Sequence, residues 1–378
     1  MNKKIKITYL ITGLHTGGAE MIIYRMLKTA LEQDYDDEFK FQVISIVPPA
    51  EIGDKIKELG VEVKSLNAES KLNPLIAWRL FSLLRQEQPE ILHTFLFHAN
   101  ILGRIIGKMA GVPKVVSAIR NEYFGSKLRE KMIKLTKNLC DYTTIVSQYT
   151  AGKMIEKGII AEENYKVITN GVDIDALNSE DKKQKQKIKT NLNLDKKNPV
   201  LVSVGSLTEQ KGFSSLIKAI DKLEEKYDDI FLIILGSGPK QKELEQLIQK
   251  LDLQQHVKLV GRKDNVRDYL QLADVFVLSS LWEGMPNALL EAQAVGLPSV
   301  ATRVSGVSEI IDNEENGVIV EPNSEGALIR GIEAILDQMK EDKEAIKTAA
   351  QQKIKQGFSL ESMTKDYINF YKNLVQEK

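Results

Sequence analysis

Residues 275–302 read VFVLSSLWEGMPNALLEAQAVGLPSVAT. A short apolar, β-rich run (275–280) leads into a turn, the turn opens a helix, and a second such run (298–302) follows. Runs of that length suit strands, and the segment between them has the length of a crossover helix, so the stretch reads as a strand–helix–strand unit with parallel strands. The same alternation extends in both directions. NPVLVSVGS (198–206), IFLIILG (230–236), VKLVG (257–261) and GVIVE (317–321) are further strands of the second half. The first half carries IKITYLI (5–11), FQVISIV (41–47), VEVKSL (61–66), EILHTF (90–95), KVVSAI (114–119), YTTIVS (142–147) and YKVITN (165–170), with helical patterns at 20–31, 74–86 and 99–110. Strands alternating with helices predict an α/β chain with two doubly wound parallel sheets, each covered on both faces. Ligands of such sheets bind beyond the carboxyl ends of the strands. Two such domains facing each other are expected to form a cleft.

The chain has 378 residues, a prior of two or three domains at roughly 150 residues each. The lysine-rich stretch 181–197 reads as a solvated helix and turn between the two, giving domains 1–178 and 179–359. From Ser359 onward Leu360, Met363, Tyr367, Phe370, Tyr371 and Leu374 recur at helical spacing, so a C-terminal helix (about 360–378) is expected to cross back and dock on the first domain. Fifty-two basic residues balance fifty-two acidic ones, which argues against a dedicated nucleic-acid binder. A single cysteine, Cys140, excludes a disulfide-stapled secreted domain and fits a cytoplasmic chain. No apolar run reaches the length of a membrane span, about 18 residues. Lys6 interrupts the apolar N-terminal run, which therefore reads as a buried strand and not a signal peptide.

Site chemistry concentrates after strands. In 281–298, Pro286 suits the first helical turn. The amides of Asn287, Ala288 and Leu289 then form a helix start that favours an anion such as a diphosphate. Glu283 and Glu291 bracket this turn. Glu291, one turn into the helix, is placed to accept hydrogen bonds from ribose hydroxyls, and Glu283 to reach a sugar ring. Lys211 follows the 200–204 strand, where a cation can neutralise phosphate charge. Gly17 and Gly18 precede the first helix and permit close backbone approach. Arg120 follows the 114–119 strand. His93 and His98 lack a third metal ligand, so a zinc site is disfavoured; His93 reads as a strand-end residue, and His98 as an acceptor-side one.

The pattern E-G-x-P-x-x-x-x-E-A-x-A-x-G-x-P at 283–298 resembles the signature of the retaining glycosyltransferases of family 4, which have the GT-B fold. Other segments match in order: GGAE (17–20), HTFLFHAN (93–100), SAIRN (117–121), NGVD (170–173), VGSLTEQKG (204–212), LGSGP (235–239) and VGR (260–262). The resemblance covers essentially the whole chain. It implies sugar transfer from a nucleotide-diphosphate donor, UDP-linked by expectation, usually without a metal. It also implies catalytic roles for Glu283, Lys211 and Arg120. Donor contacts fall at Gly17, Gly18, Gly236, Arg262, Met285 and the 286–291 helix start, and acceptor-side positions at His98 and Asn121. Ser206 stands where many members carry a second phosphate-binding arginine, and the family's glycine pair is altered to Ser305-Gly306. Arg303 is a candidate replacement cation.

DID (173–175) mimics a metal-binding motif but follows an Asn-Gly turn and reads as turn chemistry. GSLTEQKG has the wrong order for a P-loop, and LGSGP lacks the third glycine of a dinucleotide fingerprint. Residues 99–140 hold nine basic and two acidic residues, and Leu128, Met132, Leu135 and Leu139 form a stripe beside lysines. That helix either packs on the sheet as an ordinary amphipathic helix or rests on an anionic membrane. The expected function is transfer of a hexose or N-acetylhexosamine to a saccharide, lipid-linked by expectation. The expected setting is surface-polysaccharide assembly (capsule or O-antigen) at the inner membrane face. The alternatives are a sugar-nucleotide epimerase of the same architecture and a non-catalytic sugar-nucleotide binder.

Overall fold

The computed structural model describes residues 4–68 and 75–376. Pro74, the first residue of one expected helix, and the last two residues of the expected C-terminal helix lie outside the described residues. The chain divides into two compact units, Met1–Gly171 with Leu360–Lys378, and Val172–Ser359.

The first unit has seven strands, β1 (Ile5–Ile11), β2 (Phe39–Ser45), β3 (Glu62–Ser65), β4 (Ile91–Phe95), β5 (Lys114–Ile119), β6 (Tyr142–Ile145) and β7 (Tyr165–Val167). They lie in the order β3-β2-β1-β4-β5-β6-β7, and every pairing is parallel. The second unit has β8 (Val200–Val204), β9 (Phe231–Leu235), β10 (Val257–Gly261), β11 (Val275–Leu278), β12 (Ser299–Thr302) and β13 (Gly317–Val320), in the parallel order β10-β9-β8-β11-β12-β13. Central strands such as β4, β9 and β11 are buried at every residue, as a sheet covered on both faces demands. In each unit the winding reverses beside the first strand, between β1 and β4 and between β8 and β11. These switch points are where loops diverge and leave room for a ligand.

The C-terminal helix Leu360–Gln376 belongs to the first unit. Its stripe of Leu360, Met363, Tyr367, Phe370, Tyr371 and Leu374 is buried among Tyr9, Ile22, Phe41 and Phe95. Burying six large apolar side chains contributes on the order of 10 kcal/mol of gross transfer free energy. His93, fully buried on β4, faces the same helix: Nδ1 lies 2.8 Å from the Tyr371 hydroxyl and Nε2 2.9 Å from Thr144 Oγ1.

The lysine-rich stretch forms a helix and a turn. Asp181 caps the helix Lys182–Asn191 by accepting from Gln184 N–H at 3.0 Å, and Ile188 and Leu194 are buried. Those two apolar anchors hold the stretch inside the second unit. The chain crosses between units earlier, at 171/172, where Val172 N–H donates to Phe358 C=O at 2.9 Å.

Candidate active site

At the switch point of the second unit, the loops after β8 and β11 are laced together. Leu281 N–H donates to Gln210 C=O at 2.7 Å, and Ser279 Oγ donates to Lys211 C=O at 2.8 Å. Gly212 has φ +61°, and a Cβ there would stand 2.1 Å from Ser279 C=O, so only glycine admits this approach. Lys211 and Glu283 meet across these loops. Lys211 Nζ donates to Glu283 Oε1 at 2.5 Å, the Lys211 stem lying against Gly205. Oε1 also accepts from Ser280 Oγ at 2.7 Å, and Oε2 from Gln210 Nε2 at 3.2 Å. Glu283 is only 6% exposed. A buried carboxylate held by one cation and two neutral donors is fixed in orientation before any ligand arrives. Ser280 and Gln210 were not anticipated. Their signal is local, a hydroxyl three residues before Glu283 and an amide next to Lys211.

Beyond Glu283 the chain runs through buried Met285 into the helix Asn287–Ala294. Pro286 stands at the N-cap and not in the first turn, and its carbonyl accepts from Leu289 N–H at 3.1 Å. That bond removes Leu289 from the set of amides expected to meet an anion, because a tight first turn uses it internally. Glu291 lies one turn in, half-buried. Gly236, after β9, approaches so closely that a Cβ would be 1.8 Å from Gly205 C=O. Arg262 is exposed at the end of β10, the edge strand two places from β8. Arg303 does not replace the arginine missing at Ser206: it is 56% exposed and bonds Glu321 at 2.9 Å.

The first unit repeats the device with different residues. Gly17 is the N-cap of the helix Gly18–Glu32, and the Glu20 carboxylate folds back over it, leaving a Gly17 Cβ only 2.4 Å from Oε2. Burial pushes the Glu20 carboxyl up, opposed by its own amide, by Arg120 and by His15. Arg120 donates to Asn170 Oδ1 at 2.5 Å and hydrogen-bonds the Tyr367 hydroxyl, and burial lowers its pKa. Arg120 is thus held among Glu20, Asn170 and Tyr367, contacts that sequence spacing did not reveal because three distant segments supply them. Leu96, after β4, has φ +71°, a conformation costing about 1–3 kcal/mol. His98 follows it, partly buried, its ring edge-on to Phe97 at 5.2 Å. Asn121 Oδ1 accepts from Tyr123 N–H at 3.0 Å and shapes the turn after β5. Asp173 caps the helix Ile174–Asn178 by accepting from Ala176 N–H at 2.9 Å, which is turn chemistry. Among the described residues no group of three His, Cys, Asp or Glu side chains could hold a metal ion.

Comparison with known proteins fits this geometry. A family model described as Glycosyltransferase Family 4 matches residues 10–176, and one described as Glycosyl transferases group 1 matches 184–353. The UDP-Gal:alpha-D-GlcNAc-diphosphoundecaprenol alpha-1,3-galactosyltransferase of Escherichia coli is 33% identical over 277 residues, 68% of this chain and 69% of that protein. The chain belongs to glycosyltransferase family 4. A second relative of this transferase is the N-acetylgalactosamine-N,N'-diacetylbacillosaminyl-diphospho-undecaprenol 4-alpha-N-acetylgalactosaminyltransferase of Campylobacter jejuni. It is 25% identical over 354 residues, 89% of this chain and 91% of the relative. The crystal structure of Anabaena HepE in complex with UDP superposes with a TM-score of 0.84 at 20% identity, covering 98% of this chain and 100% of the other. The two sheets of the transferase are those of the GT-B fold.

Proposed function

We propose that this transferase moves a hexose or N-acetylhexosamine from a UDP-sugar, with retention at the anomeric carbon, to a lipid-linked saccharide during surface-polysaccharide assembly. The observation that carries the reading is the Lys211–Glu283 pair, buried at the β8/β11 switch point beside a helix start. The second unit takes the donor. Lys211 and the amides of Asn287 and Ala288 at the helix start neutralise the diphosphate, Glu291 accepts from the ribose hydroxyls, and Glu283 orients the sugar ring. Retention places the acceptor hydroxyl on the face the diphosphate leaves. The anomeric C–O bond to phosphate breaks, the new C–O bond forms beside it, and the acceptor proton passes to the departing diphosphate. No step requires a metal, because lysine and backbone amides supply the positive charge. The first unit takes the acceptor, with Glu20, His98, Arg120 and Asn121 around its switch point, while Gly17 and Gly18 let its backbone approach the donor. The lipid-linked acceptor is supported by the names of the Escherichia coli and Campylobacter jejuni relatives, and UDP by the HepE complex. No helix among the described residues is long and apolar enough to cross a membrane. The basic segment 99–140 would bring the enzyme to an anionic leaflet from the side.

The test offers UDP-sugars with an undecaprenyl-diphosphate saccharide extract and reads products by mass spectrometry. A product heavier by one sugar, formed only with acceptor present, is expected. Turnover of the UDP-sugar without acceptor would move the reading to an epimerase.

A further inference from the structure

Ten large hydrophobic side chains of the described residues stand exposed, and seven of them lie on three consecutive helices of the first unit. The helices are Leu75–Glu87, Phe97–Met109 and Lys127–Leu135, packed side by side over one face of the sheet. Trp78 is 67% exposed, Met109 66%, Leu128 69% and Leu135 73%, with Ile105 and Met132 between them. The second unit exposes none among its described residues. This reverses the arrangement in which the 127–135 helix turns its leucine stripe to the sheet, because the side chain that packs inward is Ile133, fully buried. The orientation is fixed from inside. Arg104, fully buried, donates through Nε to Ser117 Oγ at 2.9 Å and through Nη1 to Ile133 C=O at 2.9 Å and Thr136 Oγ1 at 3.2 Å. It thereby pins the last turn of the 127–135 helix to the 97–109 helix and to β5. Of the nine basic residues in 99–140, Arg104 and Arg120 are committed to interior contacts. Of the seven others, Lys108 pairs with Asp141 at 2.7 Å, Lys137 donates to Gly158 C=O at 3.1 Å and Lys114 opens β5, while Lys127, Arg129, Lys131 and Lys134 lie exposed on the helix that carries Leu128 and Leu135.

We infer that this helical layer inserts into an anionic bilayer, with Trp78, Met109, Leu128 and Leu135 entering the headgroup–acyl boundary and the lysines and Arg129 meeting lipid phosphates. An apolar layer of this extent on a chain of zero net charge is anomalous for a face bathed in water. Aromatic and aliphatic side chains ringed by basic ones match the interface of an anionic leaflet. The inference rests on the proposed attachment to such a leaflet and replaces a purely electrostatic contact with insertion, which salt does not remove. The full chain is mixed with phosphatidylethanolamine–phosphatidylglycerol vesicles and, separately, with phosphatidylcholine vesicles. Sedimentation with the anionic vesicles is expected, with a fraction retained in high salt. Tryptophan emission should shift to the blue and be quenched by brominated acyl chains, both effects being lost in Trp78→Phe. Leu128→Ser with Leu135→Ser should lower the salt-resistant fraction roughly tenfold, at an unchanged unfolding midpoint because both side chains are exposed. Release of all protein by salt with no quenching overturns insertion and leaves surface attachment standing. Absence of binding at low salt overturns both. A dimer that the leucine variant breaks would assign the layer to a second copy of the chain. Transfer to a detergent-solubilised acceptor scores the catalytic reading separately.

Discussion

Lys211→Met keeps the stem that lies along Gly205 and removes only the charge. Glu283 then stays buried with Ser280 and Gln210 as its donors. Loss of one partner of a buried ion pair costs about 3–5 kcal/mol when nothing else satisfies the survivor, and a charge-assisted hydrogen bond is worth about 1.5–3 kcal/mol. The Lys211 side chain is 18% exposed and the Glu283 side chain 8%, and two neutral donors remain. The lower range therefore applies, and we expect about 1.5–3 kcal/mol of lost stability by urea denaturation. Turnover should fall on the order of a hundredfold, as when one preorganised electrostatic group facing the transition state is removed. Adding Glu283→Gln to the same chain removes the stranded charge, so most of the stability should return while turnover does not. That split separates a structural pair from a catalytic one. If Lys211→Met unfolds at the wild-type midpoint and transfers sugar at the wild-type rate, the pair is neither.

Glu291→Ala should weaken UDP binding, measured calorimetrically, by about 1–3 kcal/mol, the value of a charge-assisted hydrogen bond to ribose; unchanged affinity removes that assignment. Transfer should persist in EDTA, and a complete loss restored by manganese would return attention to Asp173 and Asp175. Ser206→Arg, at an exposed loop position, should tighten UDP by about 1 kcal/mol by restoring a second cation; equal affinity would show that the diphosphate does not pass that loop. Burial, and then Arg120, holds His93 down to about 3 in the folded chain, against about 6.5 when unfolded. Between those values the unfolded state binds more protons. Stability should therefore be complete above about pH 6.5 and fall with acid, at up to about 1.4 kcal/mol per pH unit. His93→Gln should flatten that acid limb in denaturation curves taken across the window.

What the sequence disclosed and what it hid divide along physical lines. Strand–helix periodicity is local, so both sheets and the aromatic face of the C-terminal helix are legible from spacing alone. Glu283 and Lys211 are legible as chemistry because each follows a strand of the switch. Their mutual contact is not, since it depends on how closely two loops approach, which Gly212 and Gly236 decide through backbone contacts 67 and 31 residues away in the chain. The 127–135 helix was ambiguous for a related reason. Its sequence carries both Leu128/Leu135 and Ile133 as apolar positions, and contacts from distant segments, the Arg104 guanidinium and the cluster around Ile119 and Ile145, hold Ile133 inward. Lysine density at 181–197 signals solvent on one side of a helix, while two residues, Ile188 and Leu194, attach its other side to the second unit, a contact that composition does not reveal.

The two switch points carry complementary logic. In the second unit the cation follows the first strand of the winding and the carboxylate follows β11; in the first unit the carboxylate, Glu20, follows β1 and the cation, Arg120, follows β5. Lys211 and Glu283 form a direct ion pair, whereas Arg120 acts on Glu20 through its field, favouring the charged carboxylate against burial. The pairs differ in their freedom. Lys211 Nζ has one carboxylate partner and partial exposure, so a diphosphate can share it. Arg120 is engaged by Asn170, next to the crossing at 171/172, and by Tyr367, just past the return at 359/360. A guanidinium tied to both segments is placed to set the geometry of the loops around it more than to bind a departing phosphate. Arg120 is therefore better read as a positioning residue, and Lys211 as the charge that meets the donor.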